Sequence, residues 1–302
     1  MRRFIILTLL PLLFSCGKET RHVNAAYYWS TTFNGDSAMT AFVRDQHISR
    51  LYVRYFDVTI NEQDAVLPNA TIRFQSAMPD SVEVIPCVFI TNEAMAKAPA
   101  HLDSLIYQRV RQMNETHDIM GVKELQIDCD WSQRTQQKYF DMLSRLHERT
   151  QADGWRLSCT IRLHQLGMEA PPVDGGVLMM YNTGDVRKMD RNPILDMRDV
   201  EPYLKHLDRY SLPLATAYPA FEWSILYRGS HYVGIMHSDD ALTVLPGDTI
   251  IRHEAPLSTV LECKRQVERH RPDANHEVIL FDLSPNNIQR ITLNNYEKVY
   301  YH

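Results

Sequence analysis

Several features are missing from these 302 residues, and each absence removes a class of function. No stripe of Lys and Arg is present, and the net charge of −5 is spread over mixed signs, which argues against a nucleic-acid surface. No His-x-His or His-x-x-x-His spacing accompanies His164, so neither a metal nor another cofactor is expected. The turn "STTFNGDS" after the first strand-like run is not glycine-rich, which counts against a dinucleotide-binding open sheet. No Pro/Gly/Ser linker, low-complexity tract, heptad run or short repeat divides the chain, so one domain over 25–302 is expected. The cysteines do not have the spacing of a disulfide framework. Cys87, Cys129 and Cys159 lie in apolar strand-like runs and Cys263 on a helix, as buried free thiols would.

The apolar run "FIILTLLPLLF" is too short to span a bilayer and, preceded by Arg2 and Arg3, has the form of a secretory signal over 1–15. It ends in "LFSC", which resembles the lipobox of bacterial lipoproteins. That resemblance implies cleavage before Cys16, acylation of its thiol and a short tether over 16–24. Gly17 follows in place of Asp, so inner-membrane retention is not indicated. The expectation is an exported protein of the cell envelope, lipid-anchored at the outer membrane.

The rest of the chain alternates strand and helix. Strand-like runs lie at 25–33, 50–58, 82–91, 122–131, 155–163, 176–182, 212–221 and 277–283. Helical patterns lie at 36–48, about 100–118, 134–151, 197–210 and 285–297. Eight strands in this order predict an α/β fold, a parallel (β/α)8 TIM barrel. Residues 224–256 break the alternation; "HYVGIMH" and "DTIIRHE" read as paired strands in a small β-rich insertion after strand seven.

Barrels of this kind gather their chemistry at the C-terminal ends of the strands, and polar residues collect there. Trp29 lies near the end of strand one, Asp57 ends strand two, and Asp128 and Asp130 end strand four. Arg162 and His164 end strand five, Tyr181 and Asn182 strand six, Tyr218, Glu222 and Trp223 strand seven, and Asp282 strand eight. Asp57 and Asp282 are equally suited to capping a following helix, and Arg162 to neutralising Asp128. The run "KELQIDCDWSQ" is the hardest to explain blandly. Strand alternation puts Glu124, Gln126, Asp128 and Asp130 on one face and Leu125, Ile127, Cys129 and Trp131 on the other. Two like charges about 7 Å apart on one face do not stabilise a strand. Trp131 and Trp223 each follow an acidic residue, where an aromatic face makes a sugar platform.

"LQIDCDWSQRTQQKYFDMLSRL", "LSCTIRLHQL" and "ATAYPAFEW" resemble an uncharacterised family of bacterial barrel proteins of unknown function, itself distantly similar to the chitinase-like barrels of glycoside hydrolase family 18. In that family strand four ends in D-x-x-D-x-D-x-E, the glutamate being the general acid and the last aspartate supporting the substrate's acetamido group. Placing Asp128 and Asp130 on the two later aspartates puts the acid position on Ser132. "MMY" at 179–181 is similar to the family's M-x-Y, which implies a substrate contact for Tyr181.

A serine cannot protonate a leaving oxygen as a carboxylic acid does. Two expectations follow: an exported glycoside hydrolase with Asp130 as acid/base, assisted by Asp128, and Glu222 as nucleophile, or a glycan-binding lipoprotein that does not cut; a scaffold or partner-binding lipoprotein with no sugar site is the weaker third. A retaining pair needs carboxyls about 5–5.5 Å apart and an inverting pair about 6.5–9.5 Å. In both, the partners are a carbohydrate and, through the anchor, the membrane. If the lipobox is read correctly, Cys16→Ser moves the protein from the membrane fraction to a soluble exported form; unchanged membrane association after fractionation would refute lipidation.

Overall fold

The computed structural model describes residues 22–236 and 242–301, and Cys16 lies outside them. Eight parallel strands form the barrel: β1 (Val23–Tyr28), β2 (Ile48–Ile60), β3 (Glu83–Ile90), β4 (Glu124–Cys129), β5 (Arg156–Ile161), β6 (Gly175–Met179), β7 (Leu214–Pro219) and β8 (Glu277–Phe281). Each pairs with its sequence neighbours, and β1 closes the sheet by pairing with both β2 and β8. The expected barrel is present.

The outer layer holds α1 (Ser37–Asp45), α2 (Asn92–Lys97), α3 (Leu102–Thr116), α4 (Gln136–Ala152), α5 (Met197–Leu204), α6 (Leu257–His270) and α7 (Pro285–Asn294). Local chemistry sets their starts: Asp36 accepts from the Met39 amide and Thr91 from the Ala94 amide. The β5–β6 connection carries only a 3-10 turn, Leu163–Gly167. A short strand, Val66–Asn69, doubles back antiparallel on the end of β2. All four described cysteines are buried and unpaired, as expected.

The excursion after β7 differs from the sequence expectation. It has three strands, and it begins at Glu222, not 224. His231–Met236 and Asp248–Glu254 do not pair with each other; both flank a central strand, Glu222–Arg228. The chain leaves the barrel after Pro219, so Glu222 and Trp223 belong to the excursion and not to the end of β7.

Inside the barrel, contacts between strands that are not neighbours identify the inward face. Tyr27 on β1 donates to Gln126 Oε1 on β4 at 2.6 Å, a bond that can only cross the lumen. At the N-terminal end Arg50 of β2 donates to Glu124 of β4 at 2.6 Å and to Glu277 of β8 at 2.5 Å. Tyr52 adds a 2.9 Å bond to Glu277. The even-numbered polar residues of β4 therefore point inward. The odd ones pack outward under α4, where Trp131 meets Tyr139 and Phe140 with ring centroids 6.1 and 5.3 Å away.

Arg50 holds two carboxylates that water barely reaches, and burial pushes the Glu277 carboxyl up even with Arg50 opposing it. Arg50→Met should cost about 3–5 kcal/mol in urea unfolding, because it removes the counter-charge that two buried acids share. The triple variant R50M/E124Q/E277Q should recover most of that loss; equal stability of R50M and the parent would show that the plug contributes nothing.

Candidate active site

Above the Tyr27–Gln126 bond the lumen opens toward the C-terminal mouth. Asp128 is 3 % exposed and accepts from Thr160 Oγ1 at 2.6 Å. One step further along the same face, Asp130 has a half-exposed carboxylate. Arg162, just past β5, joins the two: its Nε donates to Asp130, and its Nη2 lies 4.0 Å from Asp128 Oδ1. The bland expectation for Arg162 as counter-charge to Asp128 is thus part of the picture, with Asp130 the nearer partner.

A register shift between Arg54 and Phe56 shapes the opposite wall. Tyr55 donates to Asn114 on α3, and Phe56 lies under Arg109 of the same helix, so both consecutive residues face outward. Arg54 and Asp57 consequently share the inward face, where Arg54 binds Asp57 through two nitrogens and covers the Trp29 ring at 5.6 Å. Trp29 packs edge-on against Tyr27 and meets Phe281 at 5.6 Å. Tyr181 stacks on Phe281 at 4.6 Å, and its buried hydroxyl has no hydrogen-bond partner among the described residues.

These groups enclose a cleft with two lobes. The inner lobe, about 180 Å³, is bounded by Trp29, Arg54, Asp128 and Phe281, and the outer lobe, about 370 Å³, by Leu163, His164, Thr183 and Tyr203. Asp130, Arg162, Met179, Tyr181 and Asn182 line both. A further open groove of about 460 Å³, lined by Ser132, Gln136 and Glu169 among others, meets the outer lobe at His164.

Electrostatics follow from burial and neighbours. Burial raises the Asp128 carboxyl; Arg162 opposes this, and the charges of Asp130 and Asp57 add to it. Burial would lower the Arg162 guanidinium, but Asp128 and Asp130 outweigh it and hold the group firmly charged. Partial burial lowers the His164 imidazole against the pull of Asp130, which favours the neutral ring. Burial raises the Tyr181 phenol.

The structure gathers Trp29, Asp57, Asp128, Asp130, Arg162, His164, Tyr181 and Asn182 at one mouth, although Asp57 is spent on Arg54. Five expected site residues stand elsewhere. Trp131 faces the helices and is fully buried, as strand alternation requires. Tyr218 also points outward and donates to Asn275 at 2.9 Å. Glu222 is clasped by Arg252 and Arg290 and lines neither lobe, which leaves Asp130 without the expected nucleophile. Trp223 packs on Phe221 at 5.3 Å. Asp282 accepts from the Ser284 amide and the Asn287 side chain beside the start of α7, where the N-cap itself is Ser284. Tyr227 of the excursion is buried and donates to the Val186 carbonyl at 2.7 Å. Arg54 and Tyr203 were not anticipated. The alternation Arg50, Tyr52, Arg54 within "RLYVRYFDV" signals the first; nothing local signals the second.

Ser132 sits in a small hydrogen-bonded cluster. Its amide donates to Thr135 Oγ1 at 3.0 Å, and Asn92 Nδ2 donates to its Oγ at 3.4 Å. It lines the groove and not the two lobes.

The raised carboxyl of Asp128 carries a pH signature. A protonated form favoured by the fold adds stability that is complete below the unfolded pKa, about 3.9. That contribution is lost as pH rises through the folded value. Asp128→Asn keeps an acceptor for Thr160 and removes the titration. The stability of the parent relative to D128N should therefore fall between about pH 4 and neutrality in urea unfolding. Parallel curves would show that Asp128 titrates normally.

No family model and no curated relative matches this chain. Solved structures do. The Bacillus cereus spore cortex-lytic enzyme SleL superposes with a TM-score of 0.56 at 12 % identity over 91 % of this chain and 74 % of its own. A chitinase from Bacteroides thetaiotaomicron gives 0.56 at 12 % over 93 % and 97 %. A Group IV chitinase from Ostrinia furnacalis gives 0.53 at 10 % over 91 % and 99 %. At these identities the likeness is one of fold: this chain is a barrel of the kind on which those glycoside hydrolases are built.

Proposed function

We propose that the two-lobed cleft binds a glycan and that the protein holds its ligand without cutting it. The observation that carries this reading is the state of the carboxylates. The position that would hold the acid is Ser132, its hydroxyl outside both lobes. Asp130, the one carboxylate lining both lobes, has one oxygen committed to the Arg162 guanidinium. Glu222 is neutralised by two arginines away from the cleft. A binding role is supported by the shared fold, by the aromatic faces of Trp29 and Tyr181, and by the Tyr181 hydroxyl, which is buried and ready to bond a polar ligand. Export and anchoring through Cys16 belong to the same proposal and rest on the N-terminal sequence.

One observation favours hydrolysis as a second reading. Asp128 lines the inner lobe and is held toward its protonated form, the property required of an acid. The two readings separate in one experiment with chitin and peptidoglycan glycans. The parent should bind and release no reducing ends, with Tyr181→Phe weakening binding by about 1 kcal/mol and Asp130→Asn altering affinity alone. Release of reducing ends by the parent, abolished in D128N or D130N, would establish hydrolysis. Failure to bind either glycan would refute the glycan site.

A further inference from the structure

We infer that the protein pairs with a second copy of itself through the outer edge of the excursion, strand Asp248–Glu254 of each copy joining antiparallel about a two-fold axis at Ile250. This edge lines neither lobe of the cleft, and the pairing is independent of what the cleft binds.

The excursion is a three-stranded sheet, so each flanking strand has one backbone edge with no strand beside it. Folded proteins blunt such edges with bulges, prolines, lysines or a covering segment. The His231–Met236 edge follows that rule: its register on the central strand shifts at Leu226/Tyr227. The Asp248–Glu254 edge does not. It runs for seven residues in unbroken register and contains neither proline nor lysine. Thr249, Ile250 and Arg252 stand exposed along it, Ile250 by 48 %.

The two ends of this strand are capped. The Glu254 carbonyl accepts from Asn192 Nδ2 at 2.7 Å, and the Asp248 amide donates to the Leu245 carbonyl at 3.1 Å. Both bonds lie on the side away from the central strand. Backbone groups turn to alternate sides from one residue to the next in an antiparallel strand. Ile250 and Arg252 therefore present their amides and carbonyls outward as well, with no partner there among the described residues.

A strand meeting its own copy antiparallel has few registers to choose from, and charge selects among them. Centring on Ile251 sets Asp248 opposite Glu254, whose carbonyl is already taken. Centring on Arg252 sets that arginine against itself, and centring on Thr249 leaves little overlap. Centring on Ile250 sets the two isoleucines together, Thr249 against Ile251 and Arg252 against Asp248. It also brings outward-facing backbone groups opposite each other. The two Ile250 residues exchange amide–carbonyl bonds, and each Asp248 carbonyl accepts the other copy's Arg252 amide. Neither charged side chain enters unpaired, since Arg252 binds Glu222 and Asp248 binds Arg228 within the same copy. A partner recognised by charge would find little to answer here, whereas a second copy brings the same self-neutralised edge. Asn192 and Tyr227 tie the excursion to the segment that carries Asn182 and Thr183, so the pairing places two cleft rims on one body.

Sedimentation velocity of the full chain bearing Cys16→Ser, over a concentration series, tests this. The protein should shift from one chain to two as concentration rises. Ile250→Glu and Ile250→Lys each put like charges on the axis and should weaken association by about tenfold or more. Mixed one to one, the two variants should associate again. Ile250→Cys should cross-link to itself under mild oxidation, because opposed hydrogen-bonded residues lie about 5.5 Å apart at Cα, within disulfide reach. Tyr232→Cys on the other edge should not, and the four described native cysteines are buried. Unchanged thermal midpoints confirm that each variant is folded. A protein that stays monomeric throughout the series, a dimer that Ile250→Glu leaves intact, or charge variants that fail to associate when mixed would overturn the pairing. No readout involves a glycan, so failure here leaves the cleft reading untouched.

Discussion

A polar side chain placed in the lumen of a closed barrel has no water to fall back on, and the interior of this protein is organised by that requirement. Strand β4 sends Glu124, Gln126, Asp128 and Asp130 inward in succession. Each has an oxygen answered from across the lumen or from the next strand's end: Arg50 for Glu124, Tyr27 for Gln126, Thr160 and Arg162 for Asp128, and Arg162 again for Asp130, while the Gln126 amide nitrogen has no partner among the described residues. The sequence of partners runs from a sealed floor to an open mouth. Desolvation is complete at the lower positions and relaxes only at Asp130. The cleft is thus the upper end of an internal polar column, and its charges are positioned by the same pairing that holds the barrel together.

That pairing is also what motivates the proposal that the mouth holds a ligand and does not cut it. A general acid must keep its proton until the transition state and then release it, which calls for a carboxyl with no strong cationic partner. Arg162 reaches both aspartates at the mouth, and at Asp128 its charge opposes the upward push of burial. Burial works against it at Asp128, which lines the inner lobe with one oxygen committed to Thr160. Fixed dipoles, ring faces and matched charges remain, and in the proposed reading these would serve a ligand without exchanging protons with it.

Much of this was legible in the sequence, for reasons that can be traced. The eight strands carry long buried runs punctuated by helical patterns, and period-two alternation gave the inward face of β4 without ambiguity. The same alternation assigned Trp131 to the opposite face, and the structure upholds it over the attraction of an aromatic next to an acid. The errors lie where the chain departs from its period. Glu222 and Trp223 were counted with β7 because "AYPAFEW" reads as one strand, whereas the barrel strand stops at Pro219 and a new sheet starts three residues later. Tyr218 stands at a strand end, but its parity with Thr216 sends both toward the 3-10 turn at Pro272–Asn275. The bulge at Tyr55 that turns Arg54 and Asp57 to the same face leaves no mark in composition. Tyr203 reaches the cleft from a helix, and only tertiary packing could bring it there.

The three-stranded excursion bears on how the mouth moves. It is fastened at its base by Arg290 of α7, which reaches both Glu222 and Glu254, and by Tyr296, which donates to the Ala255 carbonyl. It is fastened again to the segment that follows β6, where Asn192 donates to the Glu254 carbonyl at 2.7 Å and Tyr227 to that of Val186. That segment begins with Asn182 and Thr183, which line the cleft. A flap free to close over a ligand would be attached along one edge; this sheet is attached along two. It behaves as a buttress, passing the stiffness of the last helix to the rim that carries Asn182, so the opening offered to a ligand keeps one width.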